Sequence, residues 1–222
     1  MTLHGYSKIR KKAFTYNVST APVNKPVTLV EVKVHLKIDA ADATQDDYLN
    51  LLIDMARDFG EKYTKRTFID TGFTTFRDDF NDSLLLRRSK VSAIASIRYL
   101  IAGVLTTLST DVYNFTDVTG FSEIFLKVDQ VFPTNVDQVP QAVEIIFTAG
   151  YGPDTTDVPA DVKFAMLNHI AFLYANRGDC SDGSSVNPDT VKSLYDKIKI
   201  IDIGSDVRLY PSGAINAFSY RL

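Results

Sequence analysis

The sequence predicts an α+β fold: about four helices in two pairs, flanking an antiparallel β insertion, with an extended arm at each end. Three observations carry this. Apolar residues recur at three and four between Leu49 and Tyr63, then at two from Phe68 to Thr148, and a third regime from Phe164 to Ala175 is apolar almost throughout. The links between the strand candidates are too short for helical crossovers, so the strands pair antiparallel. The resulting segments are an N-terminal arm (1–27), a first helical pair (28–67), the β insertion (68–149), a second helical pair (150–200) and a C-terminal arm (201–222).

Residues 1–27 carry Lys8, Arg10, Lys11 and Lys12, then a polar run with Pro22 and Pro26, and show no helical or strand period. The first helix opens at Thr28-Leu29-Val30-Glu31, a capping box in which Thr28 caps and Glu31 reaches back. Leu29, Val32 and Leu36 form its apolar face, with Glu31, Lys33 and Lys37 outside and His35 on the solvated side. A polar link leads to the second helix, where Asp42, Asp46 and Asp47 meet the positive end of the helix dipole. Leu49, Leu52, Ile53, Ala56, Phe59, Gly60 and Tyr63 line one side of about five turns, ending near Arg66.

In the β insertion, Phe73, Thr75 and Arg77 alternate with Thr74, Phe76 and Asp78, and Phe80-Asn81-Asp82-Ser83 turns the chain into Leu84–Leu86. Further strands are expected at Ile94–Ile101, Val104–Leu108, Asp111–Phe115, Phe121–Val128 and Ala142–Thr148, all rich in Thr, Val, Ile, Phe and Tyr. The last of these passes through Gly150, Gly152 and Pro153 to a helix announced by Asp157 and Pro159. That helix is apolar on nearly all sides, which predicts burial on nearly all sides; it is too short to span a bilayer. A polar loop, Arg177–Asp189, precedes a last short helix from Thr190 to Ile198.

Composition excludes several classes. A formal net charge of −3 and a pI near 5.6 do not fit a DNA-coating protein. The single cysteine, Cys180, allows no disulfide framework within the chain, and the basic N-terminus lacks the apolar run of a secretory signal. No segment reads as a membrane span.

Catalytic and ligand motifs are equally sparse. His4, His35 and His169 share no zinc-site spacing with one another or with Cys180, and His169 reads as a core histidine. Asp39, Asp42, Asp46 and Asp47 lack the central Gly and closing Glu of a calcium loop, and Asp78, Asp79, Asn81 and Asp82 read as a hairpin loop. Gly150-Tyr151-Gly152 precedes a helix but lacks the third Gly, the Lys and the Ser or Thr of a phosphate loop. No nucleophile elbow is present. The sequence therefore predicts no enzyme, no metal and no cofactor. Two basic runs remain, Lys8–Lys12 and Arg87, Arg88, Lys90; each reads first as a solvated surface and second as a contact to nucleic acid or an acidic protein.

The order Thr28-Leu29-x-Glu31-x-Lys33-x-His35-Leu36-Lys37, then acidic residues, then Tyr48-Leu49-x-x-Leu52-Ile53-x-x-Ala56-Arg57-x-Phe59-x-Glu61-x-Tyr63-Thr64, resembles the opening of phage head-to-tail connector (adaptor) proteins. Phe147-Thr148-Ala149-Gly150-Tyr151-Gly152, then Val158-Pro159-x-x-Val162-Lys163-x-Ala165-Met166-Leu167 and Tyr174–Arg177, look like the second helical half of that family. The resemblance spans roughly residues 27–200 and leaves both arms uncovered. It implies one helical bundle built from 28–67 and 150–200, carried by a subunit without catalysis. It also implies a ring of twelve copies beneath the portal of a virion assembled in the host cytoplasm, joining head to tail. It further implies a tail or stopper protein below, and packaged DNA passing through the channel without sequence-specific contact.

The residues agree on where such a subunit would work. Without reaction chemistry, the unexplained features are the ends of the chain: Lys8, Arg10, Lys11 and Lys12 in one arm, Leu209, Tyr210, Phe218, Tyr220 and Leu222 in the other. The C-terminal arm, aromatic but without helical period, is expected to order on docking with the portal or a neighbouring subunit; the basic arm is expected to contact an acidic subunit or DNA. The alternative is a β-rich ligand- or carbohydrate-binding module of a tail or baseplate, with aromatic platforms on its strands.

Overall fold

The computed structural model describes residues 15–80, 84–88, 90–118, 121–177 and 188–200. Among the described residues, four α-helices and eight strands make an α+β fold with all strands antiparallel. The elements in order are β1 (Tyr16–Thr20), α1 (Leu29–Leu36), α2 (Asp46–Thr64), β2 (Thr71–Arg77), β3 (Leu85–Leu86), β4 (Val91–Ile101), β5 (Val104–Thr107), β6 (Tyr113–Val118), β7 (Phe121–Leu126), β8 (Val143–Ala149), α3 (Ala160–Ala175) and α4 (Pro188–Tyr195). No helix among the described residues is long and apolar enough to cross a membrane.

The expected capping box is formed. Thr28 Oγ1 accepts from the Glu31 N–H at 3.1 Å, and Glu31 Oε2 accepts from the Thr28 N–H at 2.7 Å. Lys33, expected on the outer face of α1, is instead 4% exposed. Its ammonium meets Asp46 Oδ1 at 2.6 Å and donates to Ala40 O at 3.3 Å, so the buried cation is paired across the α1–α2 link. Asp39 and Asp42 are used locally: Asp39 Oδ1 accepts from the Ala41 N–H, and Asp42 Oδ1 accepts from the backbone and hydroxyl of Thr44.

The strands divide into a five-stranded sheet, ordered β1-β2-β8-β4-β5, and a three-stranded sheet, β3-β7-β6. Central strand β8 buries Val143, Ile145, Phe147 and Ala149, and β2 buries Thr71, Phe73, Thr75 and Arg77, the alternations read from the sequence. Arg77 tolerates burial because its guanidinium donates to Thr75 Oγ1 (2.9 Å), Phe76 O (2.8 Å) and, in the other sheet, Leu85 O (3.0 Å). Strand β1 is a departure from expectation. Within the segment read as a periodless arm, Tyr16–Thr20 pairs with β2, and the Tyr16 hydroxyl accepts from the Arg87 N–H at 2.7 Å.

Two apolar cores result. One gathers Phe73, Phe80, Leu86, Ile97, Tyr99, Ile124, Val143, Ile145 and Phe147 within the β layer. The other gathers Val27, Val32, Leu49, Leu52, Ile53, Phe68, Val162, Met166, Ile170 and Tyr195 among the helices. In the helical core α2 packs on α3, α3 on α4, and α1 on both α2 and α3. Its centre is Tyr195, fully buried against Phe59, Phe68 and His169. Gly60 makes the room: a Cβ there would lie 2.7 Å from the Phe68 ring and 2.8 Å from the Tyr195 ring. The Tyr195 hydroxyl donates to Ala56 O at 3.3 Å, which leaves its oxygen to accept from His169 Nδ1–H at 3.1 Å. His169 is thus a core residue, as the sequence predicts, and burial pulls its imidazole down to about 4.

Helix α3 corrects one expectation. It buries Val162, Ala165, Met166, His169 and Ile170, yet Phe164 is 65% exposed, so a helix apolar all round is buried on one side only. Pro159 sits just before the helix, at its N-cap position. The turn leading there is clamped: the Gly150 N–H donates to Lys90 O and the Asp70 N–H to Gly152 O, both at 2.9 Å.

Gly150 has φ +155°, and a Cβ on it would lie 2.4 Å from the Asp70 nitrogen. Gly150→Ala should therefore cost about 2–4 kcal/mol, read as a lower denaturant midpoint at unchanged slope. A second expectation concerns acid. His169 binds its proton more weakly folded than unfolded, so its contribution is complete above about pH 6.5 and declines as pH falls toward 4. The stability gap between the wild type and His169→Gln should narrow over that window, by up to about 1.4 kcal/mol per pH unit, in denaturant titrations at stepped pH.

Candidate interaction surfaces

The perturbed titratable groups are structural. Besides His169, burial raises the Tyr195 phenol and the Glu61 carboxyl. Glu61 lies 3.3 Å from Arg57 Nε and accepts from the Phe68 N–H at 2.8 Å, which ties the last turns of α2 to the link that leads into β2. These groups are tied into the packing of the helices and make no catalytic constellation with one another. What the surface offers instead is apolar area.

Along α2, Leu51 and Met55 are about half exposed, one turn apart, on the side away from the core seam. The stripe continues beside the Asp58–Lys62 ion pair (2.6 Å) to Phe59 and Tyr63, whose rings stack at 5.9 Å. Met55, Asp58, Phe59, Lys62 and Tyr63 line a shallow groove of about 500 Å³. The described chain ends against this groove. The Tyr63 hydroxyl donates to Asp196 at 2.6 Å, the Lys199 ammonium lies 4.2 Å from the Tyr63 ring centroid, and the Ile200 N–H donates to Thr64 O at 3.0 Å.

A second apolar face belongs to α1, where Val30 and Val34 are 63% and 71% exposed. Lys163 of α3 reaches Glu31 of α1 at 2.9 Å, directly before the exposed Phe164. A third lies on the β layer. Val104 and Leu105 are exposed on edge strand β5, and Val128 and Val131 project from the loop before β8. That loop is anchored by Phe132, stacked on Phe80 at 4.8 Å, and by Asp137, whose carboxylate accepts at 2.8 Å from both Ala102 N–H and Gly103 N–H at the β4–β5 turn.

The sequence-based candidates fare differently. Lys8, Arg10, Lys11, Lys12, Leu209, Tyr210, Phe218, Tyr220 and Leu222 all lie outside the described residues, as do Cys180 and the Asn81–Ser83 turn. The second basic run is inside. Arg88 stands over the rings of Tyr16 (5.5 Å) and Phe73 (5.2 Å), and Lys90 over Tyr151 (5.8 Å). These cations pack on the protein's own aromatic faces, so their first use is to hold β1 and the Gly150 turn in place. The apolar surface of α2 is not among the sequence-based candidates, although the sequence carries a signal for it: Leu51 and Met55, four apart, fall outside the seam that the remaining apolar residues of the helix define.

Residues 26–99, about a third of the chain, match the model of a family described as phage gp6-like head-tail connector protein. No curated protein sequence matches the chain. Among solved structures, the chain is similar to one from the virion of a native gene transfer agent (GTA) particle, with TM-score 0.68 and 23% identity over 86% of this chain and 97% of that one. It is also similar to a chain from the neck of an empty GTA particle computed with C6 symmetry (TM-score 0.69, 22% identity, 86% and 98% covered). A chain from the neck of a native GTA particle computed with C12 symmetry matches with TM-score 0.61 and 24% identity over the same shares. At these identities the shared property is the fold. The resemblance to head-to-tail connectors read from the sequence thus stands, with the family match at its first part and a common fold along most of the chain.

Proposed function

We propose that the chain is a structural subunit of a particle neck, a head-to-tail connector that works by assembly and not by catalysis. One observation carries the reading: the segment matching the connector family, residues 26–99, opens a fold shared over 86% of the chain with chains from GTA necks. The necks to which it is similar were computed with C6 and C12 symmetry, which supports a ring of copies, twelve in the fullest form. In this reading the ring docks on the portal, a tail or stopper protein lies below, and DNA passes through the channel. The modest negative charge of the chain suits such a passage, since a strongly basic wall would retain the DNA.

The surfaces support an assembling subunit. Exposed apolar residues occur on α1, α2, α3 and the β layer, area that neighbouring copies could cover. The two arms add the partner contacts: Leu209, Tyr210, Phe218, Tyr220 and Leu222 supply aromatic and aliphatic area for the portal or a neighbouring subunit. Lys8, Arg10, Lys11 and Lys12 supply charge toward an acidic subunit or DNA.

Sizing the protein alone and with portal protein tests the whole reading. A ring or a portal co-complex is the expected result; a persistent monomer with sugar affinity would favour the ligand-binding alternative. Deleting residues 205–222 should leave a folded subunit that no longer binds portal rings, and undiminished binding would refute that role for the arm. Reversing the charges of Lys8, Lys11 and Lys12 to Glu should weaken attachment, with a smaller loss at high ionic strength where screening already suppresses the contact. Equal losses at low and high salt would exclude an electrostatic arm.

A further inference from the structure

The groove on α2 is an apolar surface at the point where the chain leaves the described fold. Ile198 and Ile200 are 7% and 6% exposed, so the chain is still packed against the fold at its last described residue. The Ile200 N–H bonds Thr64 O at the C-terminal end of α2, and Lys199 covers the Tyr63 ring that forms one end of the groove. From there the apolar stripe runs back along α2 through Phe59 and Met55 to Leu51, about 18 Å at 1.5 Å per residue.

We propose that this groove is the seat of the chain's own C-terminal segment, residues 201–222, which folds back along α2 in the free subunit. Three properties of the segment fit the seat. It begins at the groove's end, so the loop-closure part of the entropy cost is small. It has ample reach: fully extended, residues 201–222 span roughly 70 Å at about 3.3 Å per residue. Its composition is complementary. Leu209, Tyr210, Phe218, Tyr220 and Leu222 match the Met55, Phe59 and Tyr63 floor. The methionine suits such a seat, because an unbranched thioether adapts to aromatic partners.

The proposal concerns the free subunit and holds whether or not a portal is the later partner, so its failure would leave the connector reading intact. If both hold, the arm exchanges one apolar seat for another on assembly, and the groove is uncovered as the arm departs.

The chain has three methionines, Met1, Met55 and Met166, and Met166 is fully buried in the helical core. Methyl-labelled methionine therefore gives a full-length NMR readout with an internal control, Met55 being assigned through Met55→Leu. Replacing Leu209, Phe218 and Tyr220 with Ser should move the Met55 methyl resonance toward that of a solvent-exposed methionine and leave Met166 in place. An unmoved Met55 resonance overturns the proposal, as does a wild-type Met55 resonance that shifts on dilution, which would assign the groove to a second copy. A covalent readout decides the matter independently of the core. In a Cys180→Ser background, Met55→Cys with Cys introduced at Ser212 or Ser219 should close an intrachain disulfide under mild oxidation. Free thiols at both pairings, or a cross-linked dimer, overturn it.

Discussion

The helical half of this protein depends on burying one phenol. Tyr195 lies fully inside a core where an unpaired hydroxyl would be costly, and α2 and α3 each supply a partner, Ala56 O and His169 Nδ1. Around the ring, Phe59 and Phe68 close the remaining faces, and Gly60 leaves α2 without a side chain where the ring must approach. A glycine inside a helix costs about 1 kcal/mol relative to alanine. That cost is offset here by the close packing of two aromatic rings on the helix backbone. Because Tyr195 ends α4, the same contact also fixes where the chain emerges beside Tyr63 and Thr64.

Much of this architecture is legible in the sequence. Strands β2 and β8 bury one face each, so their side chains alternate strictly, and the Thr28–Glu31 capping box is a local device that needs no tertiary help. What escapes the sequence is settled by contacts far along the chain or by partial burial. Lys33 belongs inside only because Asp46 arrives to pair with it. Strand β1 is a sheet edge whose residues are exposed save for a half-buried Tyr16, so it shows no alternation to read. Helix α3 carries apolar residues on every side, yet periodicity cannot say that Phe164 remains uncovered. For the candidate interfaces, the sequence pointed to the two ends of the chain, whereas the described fold adds exposed patches on its regular elements. A patch such as Leu51 with Met55 is hard to see because two apolar residues on a long helix resemble ordinary surface variation.

The two kinds of surface have different thermodynamics. Apolar side chains on helices and strands are already ordered, so covering them yields hydrophobic free energy at little conformational cost, on the order of 25 cal/mol per Å² of apolar area removed from water. A segment that orders only on docking gains similar area but gives up backbone freedom of about 1–2 kcal/mol per residue that becomes fixed. A subunit that combines both can associate first through its rigid faces and tighten afterwards through its arms. That order suits an assembly in which the last contacts should form only after the earlier ones are in register.

The Asp137 carboxylate gives the rigid side of this division a concrete form. By accepting from both Ala102 and Gly103, while its own N–H donates to Leu100 O at 3.0 Å, Asp137 joins a loop and a hairpin tip into one block. Val128 and Val131, carried on that loop, are therefore presented like teeth on a cast gear and not like fingers on a hand. In the proposed assembly, such a block would meet a neighbour in one orientation only, and small angular errors between copies would be rejected at contact and not absorbed. Around the proposed ring, where any error repeats with every subunit, that stiffness would allow the last copy to meet the first.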